Sequence, residues 1–120
     1  MTMEETVAVA LSTLTSEVYP GHAPLDYQVP VVIYNRLSTT PADDLDDDSQ
    51  TGFASFQIDV YDHSLSGAMT MAGSVRQVVR SISDDVVQSV TFTDQANMLD
   101  QTTATTLYRV KMDFSLFGIV

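Results

Sequence analysis

The sequence predicts an α+β domain, an antiparallel four-stranded sheet with two helices packed on one face, in the order helix, strand, strand, helix, strand, strand. Two observations carry this. Ala54, Phe56, Ile58 and Val60 alternate with Ser55, Gln57, Asp59 and Tyr61, and Tyr108, Val110, Met112, Phe114 and Leu116 alternate with Arg109, Lys111, Asp113 and Ser115. That is the period of two of strands covered on one face. By contrast, Val7, Leu11, Leu14 and Val18, and again Leu65, Ala68, Ala72, Val75, Val79 and Ile82, recur three and four apart, which puts one apolar stripe on each of two helices. Two such stripes need one sheet face to cover them.

The first helix is expected from Met3 to Val18, with Thr2 as its cap and Glu4 and Glu5 in its first turn. Tyr19 to Pro30 carries Pro20, Gly21, Pro24 and Pro30, each proline removing an amide donor, and reads as a loop. Val31 to Leu37 is β-branched and aromatic and reads as the first strand, closed by Pro41. The second strand follows an acidic loop, so these two are expected to form an antiparallel hairpin with a long tip. Asp62 or Ser64 caps the second helix, whose Gly67 and Gly73 suggest a close approach to the sheet. Arg76 and Arg80 fall off its apolar stripe. Val86 to Thr93 reads as the third strand, and Asp94, Gln95 and Asn97 as the turn after it. The fourth strand ends the chain, leaving Gln57, Asp59, Tyr61, Arg109, Lys111 and Asp113 on the sheet face away from the helices.

With 120 residues the chain is expected to form one domain, 1–120, with an acidic mobile loop at about 41–52. Five Lys and Arg against 16 Asp and Glu give a net charge of −11, the wrong sign for a domain that grips a phosphate backbone. No cysteine is present, which removes disulfides, thiolate metal sites and cysteine nucleophiles. No apolar run is of membrane-spanning length and the first residues are acidic, so the chain reads as soluble and untargeted.

The motifs of common chemistry fail one by one. His22 and His63 do not stand at a metal-ligand spacing. Asp62, His63 and Ser64 are a triad in letters only, because consecutive residues at a strand end point apart. No glycine pattern cradles phosphate. Read as an EF-hand from Asp44, the acidic run places Ser49 where glycine is required and Ser55 where the closing glutamate belongs. Five carboxylates in one loop (Asp43, Asp44, Asp46, Asp47 and Asp48) still repel one another, so loose Mg²⁺ or Ca²⁺ binding competes there with a merely solvated loop. No cofactor and no catalytic residue is expected, and the chain reads as not an enzyme.

The chain resembles the tail-completion, or tail-terminator, family of long-tailed bacteriophages and phage-like particles. The resemblance lies in a first helix followed by Val18, Tyr19 and Pro20, a proline-led Val31 to Tyr34 strand, the Phe56 to Asp62 strand, a helix carrying Val75 and Arg76, and the closing Leu107 to Phe114. It implies a structural virion protein, assembled in the host cytoplasm, that forms a homo-hexameric ring at the head-proximal end of the tail. Such a ring stops growth of the tube and joins the head connector. Its partners would be itself, the tail tube protein and the connector protein, with DNA only passing through the lumen and no membrane. A closed ring needs unlike patches on each subunit, so Arg36, Arg76, Arg80, Arg109 and Lys111 are the candidate cations for a neighbour's acids. The alternatives are a head-tail connector or other neck ring protein, and a small acidic protein-binding module.

In such a ring the five-aspartate loop is expected to face the lumen or a partner. Lining the lumen, its field would repel passing DNA. Replacing the five aspartates with asparagine is then expected to slow DNA exit and leave assembly intact; unchanged exit kinetics would contradict a lumenal loop.

Overall fold

The computed structural model describes residues 1–42, 51–100 and 106–120. The acidic run, Asp43 to Asp48, lies outside them. The elements are α1 (Met3–Ser12), β1 (Val18–Pro20), β2 (Val31–Pro41), β3 (Thr51–Asp62), α2 (Leu65–Arg80), β4 (Val87–Asp100) and β5 (Leu107–Ile119). The described strands form one sheet in the order β1-β2-β3-β5-β4. β1 runs parallel to β2, and the other neighbours are antiparallel. The expected four-stranded antiparallel sheet is therefore corrected to a five-stranded mixed one.

The additional strand lies in the stretch read as a loop. Val18, Tyr19 and Pro20 align with Val32, Ile33 and Tyr34, and the Val32 amide donates to the Glu17 carbonyl at 2.9 Å. Three residues are too few to show a period, and proline is tolerated because β1 is an edge strand with one side unpaired. α1 is also shorter than its apolar spacing suggests. Its start is the anticipated one, with the Glu5 amide donating to the Thr2 hydroxyl at 3.2 Å and the Glu5 side chain reaching back to the Thr2 amide. Its end comes at Ser12 with Thr13 as C-cap, and Leu14 and Val18 pack against the core from outside the helix.

β4 runs through the residues expected to turn. A register shift between Phe92 and Asp94 absorbs one residue, and the Thr93 hydroxyl donates to the Asp113 carbonyl at 2.9 Å, meeting a backbone acceptor at the bulge. Gln95 accepts a hydrogen bond from Arg76, so side chains that favour turns are held here as strand positions.

One core unites Met3, Val7 and Leu11 of α1, Ala72, Val75 and Val79 of α2, and the inward residues of β3 and β5, including Phe56, Ile58, Met112 and Phe114. α2 begins at Ser64, whose hydroxyl accepts the Gly67 amide at 3.0 Å. A side chain on Gly67 would collide with Asp62 and Ser64, so this glycine serves the cap, whereas a Cβ on Gly73 would meet nothing within 4 Å among the described residues outside its own helix backbone. Neither glycine marks the expected approach to the sheet.

Gly118 marks a true close approach. It pairs with Gly52 and with Val87, and a Cβ there would overlap the Val86 carbonyl, the group that accepts the Ile119 amide at 2.8 Å. Gly118→Ala is expected to cost about 1–3 kcal/mol by forcing β4 away from β5. Urea unfolding reads this, and an unchanged midpoint would contradict the packing described.

Candidate functional site

The sheet face away from the helices is built in cross-strand rows. Ile33, Asp59, Lys111 and Ala96 share one register, and Asn35, Gln57, Asp113 and Asp94 the next. This face is not simply wet. Asp59 is only 4% exposed, and it accepts hydrogen bonds from Arg109 Nε at 3.0 Å and from Gln57 Nε2 at 2.9 Å. A carboxylate so buried needs such partners, and Arg109 also lies 5.8 Å over the Tyr61 ring. Lys111 meets Asp113 at 3.6 Å, a looser and more exposed pair. Toward the β2–β3 hairpin tip the same face turns apolar, with the Phe53 and Phe117 rings 4.9 Å apart.

The remaining cations lie on the helix side. Arg36 pairs with Glu4 of α1 and lies 5.5 Å over Phe56, which ties the first helix to the second strand. Burial, and then the nearby Glu4, raise the Tyr34 pKa. Arg76 donates to Gln95 at 3.1 Å and lies 5.5 Å over the Phe92 ring, joining α2 to β4. Arg80, in the last turn of α2, is exposed. The five cations named from the sequence are thus not one patch. Arg36 and Arg76 stitch helices to the sheet, Arg109 and Lys111 sit on the opposite face, and Arg80 projects from the end of a helix.

No catalytic constellation forms from the residues singled out earlier. The Asp62 carboxylate accepts the His63 amide at 2.7 Å, while Ser64 caps α2, so these three neighbours serve the strand-to-helix turn. His22 and His63 are exposed. Among the described residues, no group of three or more His, Asp or Glu stands ready to hold a metal ion. No helix there is long and apolar enough to cross a membrane. What the geometry offers is contact surface, polar at the centre of one face and apolar at its end.

Two features escaped the sequence reading. The Arg36–Glu4 pair joins residues 32 apart in the chain, and no local pattern reports it. The burial of Asp59 was also unforeseen, although the alternation that put Arg109 on the same face held its one usable hint.

Comparison with known proteins agrees with the resemblance drawn from the sequence. The family described as Tail completion protein gp17 matches residues 4–117. No curated protein matches the chain. Among solved structures, a chain described as "Virion of native gene transfer agent (GTA) particle" shares the fold, with a TM-score of 0.60 at 15% identity over 92% of this chain and 84% of that chain. The family match runs from the first helix to the last strand, and the chain therefore belongs to the tail completion protein gp17 family, as a structural protein of the virion tail.

Proposed function

We propose that this protein closes the head-proximal end of the tail tube as a homo-hexameric ring, ending tube growth and presenting the surface that joins the head connector. The observation that carries this reading is the tail completion family match over residues 4–117. The fold shared with a chain of a gene transfer agent virion supports it. The role is one of contact and not of catalysis. It asks for a rigid small domain with unlike surfaces, since a ring is made of heterologous contacts that close on themselves.

The two layers meet that need. One face of the sheet carries the helices, and the other carries the Asp59–Arg109 network with the Phe53–Phe117 pair beyond it. Aromatic side chains that become buried on contact anchor protein interfaces, and Phe53 is half exposed in the single chain. The tail tube protein and the connector protein are the proposed partners above and below the ring, and DNA passes through without being gripped.

Particles assembled without this chain are expected to carry tails of uncontrolled, extended length that fail to join heads. Supplying the chain in trans should restore one length and head joining, as counted by electron microscopy. Tails of normal length joined to heads in its absence would contradict the reading.

A further inference from the structure

We propose that a groove on the flank of α2 seats the β1 edge of a second copy of this chain, with Arg76 and Arg80 meeting Glu17 and Asp26 of that copy. The inference rests on the ring reading above and names the contact that would build it. Gly73, Arg76, Gln77, Arg80 and Ser81 line the groove.

Three observations converge there. The first is Gly73. A glycine inside a helix costs about 1 kcal/mol relative to alanine. Gly67 has a reason within the chain, but a Cβ on Gly73 would meet nothing within 4 Å among the described residues. A glycine with open space above it lets another backbone come close.

The second is charge. Arg36, Arg109 and Lys111 each face a carboxylate of their own chain. Arg76 has the neutral Gln95, and Arg80 has neither an ion pair nor a hydrogen bond among the described residues. Asp84, which follows the helix, instead accepts the Val86 and Val87 amides. Two guanidinium groups thus share one groove in a chain of net charge −11, with no carboxylate paired to them among the described residues.

The third is the opposite edge. α2 stands over β3, β5 and β4, while α1 stands over β1 and β2. The groove therefore belongs to the β4 end of the strand order and β1 is the other end. At β1, Glu17 takes the Tyr19 hydroxyl at 2.5 Å. That bond, then burial, then the charges of Glu17 and Asp26 raise the Tyr19 pKa, and Asp26 lies in the segment that joins β1 to β2. Asp26 is exposed, and neither acid has an ion pair among the described residues. A basic groove at one edge and an acidic one at the other match head to tail, the arrangement that closes rings, and offset the repulsion between acidic copies.

The test is light scattering after size exclusion at low salt, with circular dichroism as the check on folding. Arg80→Glu alone and Asp26→Arg alone are each expected to weaken self-association about tenfold or more. An equimolar mixture of the two should recover it, because each variant restores the other's complement. Gly73→Leu should block the groove with the fold retained. Self-association of both charge variants at wild-type strength would overturn the proposal, as would folded variants whose mixture fails to recover, or a wild-type chain monomeric at every concentration. Tail length in particles lacking the chain judges the ring reading separately from these outcomes.

Discussion

The ladder between β3 and β5 is the constraint on which the rest of the molecule depends. It runs without a register shift from Thr51 opposite Ile119 to Asp62 opposite Tyr108, whereas both outer antiparallel pairings carry bulges. Slipping β3 by one residue against β5 would turn Phe56 and Ile58 to the outer face and bring Gln57 and Asp59 under the helices. Neither layer would survive that exchange. α2 packs on the inward residues of these two strands and α1 packs beside it, and the outer polar network spans the same two strands through Asp59 and Arg109. One pairing therefore sets the core and the exposed surface together.

That ladder was also the most legible part of the chain, because both strands are long and covered on one face, where alternation is strongest. Legibility fell away wherever a segment was short or its signal local. β1 has three residues, one of them a proline, and its parallel partner is a strand that begins eleven residues after it ends. Asp94, Gln95 and Asn97 favour turns in isolation but are held in β4 by the ladder with β5 and by Arg76. The apolar spacing of α1 ran on to Val18 because Leu14 and Val18 do reach the core, though not from a helix. The candidate cations were visible as residues and invisible as partners, since each pairing depends on which strand or helix lies opposite.

In a chain so acidic, the scarcity of cations shapes what the surface can do. Three of the five face carboxylates of their own chain. Where such a pair is buried, as at Asp59, the carboxylate would be left uncompensated without its arginine. Such charges hold the subunit together and contribute little to steering a neighbour. The positive surface left for assembly is concentrated at α2, and the broad negative surface favours unlike contacts over indiscriminate self-association. A structural tail protein needs that selectivity more than it needs affinity in any one contact.

A reconstruction of the neck of intact particles tests the central claim most directly. The account predicts this fold repeated in a closed ring of six copies at the head-proximal end of the tail tube, between tube and connector. The same fold found along the tube, at the far end of the tail, or as a single copy beside the connector would contradict it.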